Sequence, residues 1–246
     1  MITSNKVSVI IPTYNRFRHL LNAIESVKNQ THKDIEIIVV NDRSSQEDYY
    51  QYDFPSVNIV HLDKNAVERH GRKYPGCYPR NVGIRIAMGD YIAFLDDDDI
   101  WLPNKIELQL QAMRYNGCQM SCTDGYIGKG FYNKYGKYYR YNGEYYRNKI
   151  ESIFNRKGKA SLFPVSDTDT GFPKIWDYNF LKVHNCCVTS SVILSRLVVA
   201  KIGGFKLMPK SEDYNYWLRA LHRTDCVYLE EPCFYYDQAH AGGNHF

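Results

Sequence analysis

Through the first half of the chain, apolar and polar positions fall into short blocks that switch between two periods. Lys6-Val-Ser-Val-Ile-Ile-Pro12 is a β-rich run that stops at a proline. Phe17, Leu20, Leu21, Ile24 and Val27 then recur at helical spacing, with Asn15 placed to cap that helix. Ile35-Glu-Ile-Ile-Val-Val40 is almost continuously apolar, the pattern of a strand buried on both faces. Val57 to Leu62 reads as a third strand, Asn81 to Met88 as a short helix, and Tyr91-Ile-Ala-Phe-Leu95 as a fourth strand. Pro103 suits the first turn of a helix that carries Ile106, Leu110 and Met113 and closes at Gly117. Alternating strand and helix predict an α/β fold, a mostly parallel central sheet with helices on both faces and right-handed crossovers.

The second half is less regular. Residues 125–180 are rich in Tyr, Gly, Lys and Asn. Between Tyr138 and Arg147 aromatics alternate around Asn142-Gly143, which predicts a Tyr-rich β-hairpin on a type I′ turn. Residues 161–173 read as loop, Val188 to Leu194 as a strand, and Leu194 to Ile202 as a helix stopped by Gly203-Gly204. Ser211 is placed to cap a helix whose buried face carries Tyr214, Trp217, Leu218 and Leu221, and a polar tail runs from Asp237 to Phe246.

Composition narrows the classes. With 246 residues, 44% of them hydrophobic and 24% charged, the chain can bury a real core, which excludes wholesale disorder. A net charge of +4 is too small to argue for nucleic acid as the main partner. No window approaches the ~18 uninterrupted apolar residues of a transmembrane segment, and the start makes a poor signal peptide. Seven cysteines, an odd number without a CxxC pair, read as reduced, buried thiols of a cytoplasmic protein.

Open parallel sheets bind ligands beyond the carboxyl ends of their strands. Polar groups fall at three such ends: Thr13-Tyr14-Asn15-Arg16 after the first strand, Asp42 after the second, and Asp96, Asp97, Asp98 and Asp99 after the fourth. Crowded carboxylates raise one another's pKa, and a divalent cation removes the penalty; oxygen ligands of this kind suit Mg²⁺ or Mn²⁺. The same run also serves as an acidic cap on the next helix. Asp42 is either a turn residue or an acceptor for a nucleobase N–H. Arg80-Asn81 offers a cation at a helix start where a diphosphate docks, or else an exposed Arg beside a cap. Glu212-Asp213 either favours a helix dipole or supplies a general base. His240 is a surface residue or a metal ligand.

Several of these segments resemble the family 2 glycosyltransferases of the GT-A fold. They are Val7-Ser-Val-Ile-Ile-Pro-Thr-Tyr-Asn-Arg16, Ile38-Val-Val-Asn-Asp42-Arg-Ser, Arg80-Asn-Val-Gly-Ile84, and the run from Ala87 through Asp96-Asp97-Asp98-Asp99 to Trp101. Lys201-Ile-Gly-Gly-Phe205 and Ser211-Glu-Asp-Tyr-Asn-Tyr-Trp-Leu-Arg219 extend the resemblance over nearly the whole chain, in family order. It implies one GT-A domain over 1–246, Rossmann-like, with 1–117 as the nucleotide-sugar half and 118–246 as the acceptor-side half. Residues 125–180 match no family motif. The resemblance implies that Pro12, Thr13, Tyr14, Asn15, Arg16 and Asp42 hold the nucleotide and that Arg80 serves the diphosphate. Asp96 and Asp97 contact ribose or metal-bound water, and Asp98 and His240 bind the metal. Asp213 is the base, supported by Glu212 and Trp217. The implied reaction is inverting transfer of a sugar from a nucleotide-diphosphate sugar, a UDP-sugar, to an acceptor hydroxyl, with Mn²⁺ or Mg²⁺. The alternative is a non-catalytic module of the same fold that binds sugar nucleotide or glycan.

Overall fold

The structure is a computed structural model that describes residues 5–71, 76–162, 171–208 and 210–239. The chain begins β1 (Val7–Thr13), α1 (Phe17–Lys28), β2 (Ile35–Asn41), α2 (Asp48–Gln51), β3 (Val57–His61), α3 (Ala66–His70), α4 (Cys77–Ile86) and β4 (Tyr91–Phe94). It continues with β5 (Ile100–Trp101), α5 (Lys105–Asn116), β6 (Met120–Gly128), β7 (Tyr139–Arg140), α6 (Glu144–Arg156), β8 (Ile175–Trp176) and α7 (Tyr178–Leu181). Last come β9 (Ile193–Ser195), α8 (Arg196–Ile202), α9 (Glu212–Leu221) and β10 (Cys226–Asp237).

Among the described residues these strands join in one sheet, in the order β3-β2-β1-β4-β9-β6-β10-β5, with β7 on β6 and β8 on β10. The β3-β2-β1-β4 part is parallel, as the alternating elements predict. Strand β9 runs antiparallel to both β4 and β6, and β10 returns parallel to β6. Strand alternation explains why β1 is apolar without a break. Val9 and Ile11 join the core beneath α1 and α5, whereas Ile10 joins the core shared with α4 and α9. Helix α4 comes so close that a Cβ on Gly83 would lie 2.4 Å from Ile10 Cγ2. Pro12 is tolerated in this central strand because the β4 ladder ends at Ile10–Phe94, so no β4 partner misses its N–H.

The predicted hairpin at Asn142-Gly143 is not there. Only Tyr139–Arg140 is strand, and Gly143 is the N-cap of α6 instead of a turn residue. Asn142 is buried; Asp124 Oδ1 accepts its backbone N–H at 2.8 Å, and its side-chain amide donates to the Tyr228 hydroxyl at 3.0 Å. Those distant partners hold it where the turn would need it exposed. Beyond it Tyr146, Ile150, Ile153 and Phe154 recur at helical spacing and pack on the core.

Two caps also differ from expectation. Arg16, not Asn15, precedes α1; Asn15 takes a left-handed φ of 53° and its side chain accepts the Ser45 N–H at 2.7 Å. Ser211 does precede α9, with a left-handed φ of 59° and no side-chain cap bond. The expected strand at Val188–Leu194 is a 3-10 turn, Thr189–Ser191, followed by β9. The short helix read from Asn81 starts four residues earlier, at Cys77. All seven cysteines are free and buried, and among the described residues no helix is long and apolar enough to cross a membrane.

Candidate active site

The carboxyl ends of β1, β2 and β4 are stitched together through Thr13. Its carbonyl accepts the Asp42 N–H at 2.9 Å, and its hydroxyl donates to Asp97 Oδ2 at 2.7 Å. That leaves the Tyr49 hydroxyl, 2.6 Å away, to donate to Thr13 Oγ1 while it accepts the Arg16 N–H at 2.9 Å. Arg16 Nη1 lies 2.9 Å from both Asp97 Oδ1 and Asp98 Oδ2. Burial opposes the Arg16 charge, but Asp97 and Asp98 outweigh it and hold the guanidinium above its ordinary pKa.

The four aspartates face alternate ways. Asp97 is buried against Thr13 and Arg16. Asp99 is wholly buried, accepting the Ser190 hydroxyl at 2.5 Å and the Asp237 N–H at 3.1 Å, and so ties the end of β4 to β10. Asp96 and Asp98 keep side-chain exposures of 30% and 11%. Burial, then the charges of Asp97 and Asp96, push the Asp98 carboxyl up to about 7 against the pull of Arg16.

Arg80 joins this rim to α9. Buried on α4, it places Nη2 2.6 Å from Asp96 Oδ1 and Nη1 3.8 Å from Glu212 Oε1, and it donates to the Gly76 carbonyl at 3.2 Å. Asp213, next on α9, accepts the Tyr214 N–H at 2.7 Å, and Asn185 Nδ2 lies 3.4 Å from its other oxygen. Burial raises the Asp213 pKa; the Tyr214 N–H lowers it, Glu212 raises it further, and Arg80 pulls it down. Asp98 follows the Arg80-bound Asp96 by two residues, Asp213 follows the Arg80-bound Glu212 by one, and Asp42 joins Thr13 through its backbone N–H.

Asp42 carries an unmet acceptor. Its Oδ1 accepts the Ala66 N–H at 2.9 Å, while Oδ2 is buried with no partner among the described residues. Burial, opposed by the Ala66 N–H and aided by Glu68, moves its pKa up to about 7. Tyr14, Asn15 and Arg16 line a cavity of about 520 Å³ together with Arg18, His19 and Phe131. A cavity of about 790 Å³ between α5 and Val227–Glu231 touches none of these residues.

Not every expected residue reaches the opening. Pro12 is buried within β1 and shapes the strand end without presenting its ring. Trp217 is wholly buried against Phe94 and Phe205, behind the site. His240 lies outside the described residues. Asn185, Tyr49 and Ser190 serve the site without any sequence signal, because their partners are far away in the chain. Tyr236 is another: its pKa is raised by burial and then by Asp99 and Asp96, and its ring meets Tyr141 edge-on at 6.0 Å. Among the described residues no group of three or more His, Cys, Asp or Glu side chains is arranged to hold a metal ion unaided.

Comparison with known proteins places this arrangement. An uncharacterized glycosyltransferase of Rickettsia felis is 36% identical over 205 residues, covering 78% of this chain and 31% of that protein. The Escherichia coli UDP-Glc:alpha-D-GlcNAc-diphosphoundecaprenol beta-1,3-glucosyltransferase WfaP is 33% identical over 125 residues, 51% of this chain and 48% of its own. The chain thus spans a third to a half of these relatives. Among solved structures, Staphylococcus aureus TarS 1-349 in complex with UDP-GlcNAc superimposes with a TM-score of 0.61 at 17% identity, over 98% of this chain and 60% of that one. The mannosyltransferase PcManGT of Pyrobaculum calidifontis, in complex with GDP-Man and Mn²⁺, gives 0.64 at 12% identity, over 98% and 59%. The fold is that of the GT-A glycosyltransferases. The glycosyl transferase family 2 profile matches residues 8–178, most of the sheet and its aspartate run, and the chain belongs to that family.

Proposed function

We propose that the chain transfers a sugar from a nucleotide-diphosphate sugar, a UDP-sugar, to an acceptor hydroxyl, with inversion and with help from a divalent cation. The observation that carries this reading is a pair of linked contact chains: the Asp42 backbone N–H to Thr13, then Asp97, Arg16 and Asp98, and Asp96 through Arg80 to Glu212, the neighbour of Asp213. These chains include an unmet acceptor, a partly exposed Asp96 beside a mostly buried Asp98, a buried cation and a further carboxylate.

Each group suits one task. The unpartnered Asp42 Oδ2 accepts a nucleobase N–H. Asp96 and Asp98 are hard oxygen donors at the opening, and two carboxylates with substrate phosphate and water complete a Mg²⁺ or Mn²⁺ shell. The crowding that lifts Asp98 to about 7 is relieved by such a charge, so the residues fit the ion. A cation held by Asp96 and Asp98 would offset the charge that grows on the leaving diphosphate. Arg80 adds positive charge on the same side. Asp213, raised by burial, takes the acceptor proton as the new bond forms on the opposite face of the sugar. The transition state has oxocarbenium character, as in glycoside hydrolysis. Tyr141, Tyr146 and Tyr236 form an aromatic wall beside Asp213 and the aspartates, a surface on which an acceptor sugar stacks.

The UDP-Glc and UDP-GlcNAc of two of the compared proteins support a uridine donor, and the Mn²⁺ of the third supports the cation. Residues 1–117 then serve the donor and 118–246 the acceptor within one domain. Seven free thiols suit a reducing compartment such as the cytoplasm. The test is UDP release across a panel of UDP-sugars, with Mn²⁺ and with EDTA. Asp98→Ala should abolish cation-dependent donor binding; equal donor affinity with and without Mn²⁺ in the wild type would refute the cation's role. A chain that binds donor yet never releases UDP would be a binding module instead.

A further inference from the structure

Arg16 stands where the aspartate run needs a positive charge. A single nitrogen, Nη1, serves both contacts, 2.9 Å to Asp97 Oδ1 and 2.9 Å to Asp98 Oδ2. A guanidinium gripping one carboxylate with its fork makes two parallel bonds that stand or fall together. Here the two bonds go to different residues, so one can break while the other remains.

The two contacts are not equally anchored. Asp97 is buried and pinned by the Thr13 hydroxyl; Thr13 is held by Tyr49, and the same Tyr49 hydroxyl accepts the Arg16 backbone N–H. The Arg16–Asp97 contact is thus clamped at both ends. Asp98 is more exposed than Asp97, and Arg16 is the side chain bonded to it, beside its own backbone N–H.

We propose that Arg16 is a positioning residue that neutralises Asp98 in the donor-free protein and yields it to the divalent cation while staying on Asp97. This rests on the cation-assisted reading above. Arg16 and the cation then compete for one carboxylate. The competition keeps the aspartate run folded without metal, and it holds cation affinity low until a diphosphate adds its own oxygens.

The experiment titrates Mn²⁺ into donor-free protein and follows free Mn²⁺ by electron paramagnetic resonance. Arg16→Gln should bind Mn²⁺ roughly tenfold more tightly than the wild type, the worth of about one charge-assisted hydrogen bond. A merely structural Arg16 predicts the reverse, since a loosened aspartate run binds more weakly. Unchanged or weaker binding in Arg16→Gln overturns the proposal, as does absence of binding in both proteins. Should Arg16→Gln fail to fold, the wild type still decides. Its Arg16 Nε–H resonance, followed by NMR during a Mg²⁺ titration, should move saturably, and should stay still in Asp98→Asn. A resonance indifferent to Mg²⁺ in the wild type overturns the proposal. UDP release is measured separately. Its absence with the Arg16 effect intact rejects sugar transfer only, and its presence without the effect rejects the Arg16 role only.

Discussion

Replacing Asp42 by Asn should improve stability relative to wild type as pH rises towards neutrality and weaken donor binding. In the folded chain the Asp42 carboxyl titrates at about 7 in place of 3.8, because it is buried, helped by Glu68 and only partly offset by the Ala66 N–H. Folding therefore takes up a proton between those two values. Stability falls as pH rises through that window and stops falling above about 7. A shift of about three units at about 1.4 kcal/mol each sets a ceiling near 4 kcal/mol, and relaxation around a charged Asp42 brings the expectation to about 2–4 kcal/mol. Asn cannot ionise, and its carbonyl keeps the bond to Ala66. Its amide takes the place of the unpartnered Oδ2, which costs about 1–3 kcal/mol at every pH. The stability of Asp42→Asn relative to wild type should thus climb by about 2–3 kcal/mol between pH 4.5 and pH 8.5, from a deficit at the acid end. Urea unfolding of both proteins across that range measures it. A difference that stays flat with pH would show that Asp42 ionises freely and that its burial carries no strain. The same variant should lose about tenfold or more in UDP affinity, since the vacant acceptor becomes a donor. Relief of a charge penalty at high pH together with weaker binding is what a site held in readiness for a ligand predicts.

Three further outcomes follow from other contacts. Arg80→Met strands Asp96 and Glu212; a fully buried broken pair costs about 3–5 kcal/mol, and the 30% exposure of Asp96 lowers the expectation to about 2–3 kcal/mol, read by chemical denaturation. Unchanged stability would mean that Arg80 contributes only to ligand binding. Asp213→Asn should keep donor affinity within about twofold and lose about 10²–10⁴ in kcat for UDP release with an acceptor present; turnover near the wild-type rate removes Asp213 as the base. Gly83→Ala drives a methyl to 2.4 Å from Ile10 Cγ2 and should cost about 1–3 kcal/mol by overpacking, seen as a lower Tm. A Tm at the wild-type value would show that α4 can stand further off β1.

The parallel β3-β2-β1-β4 region was readable from local pattern because β1, β2 and most of β4 are buried on both faces, each helix is buried on one, and β3 is a β-branched edge strand. The constraint then acts on neighbours in sequence: Ile35–Val40 must be apolar throughout, and Phe17 to Val27 must be apolar every third or fourth residue. The polar strand ends at Thr13, Asp42 and Asp96–Asp99 were visible for the same reason, as breaks in those runs. Elsewhere the deciding partners are remote. Asn142-Gly143 carries a strong turn signal, yet Asp124 and Tyr228 hold Asn142 in the interior and a helix starts instead. Strand β10 lies beside β6 although about a hundred residues separate them, and no periodicity announces such a pairing. Which aspartates keep some exposure is likewise a matter of three-dimensional packing. Thr13 and Arg16 draw Asp97 inward, Ser190 and the Asp237 N–H bury Asp99, and Asp96 and Asp98 are left at the opening. Four identical side chains in a row hold no local information about that choice; the hydrogen-bond partners that the rest of the chain brings to them do.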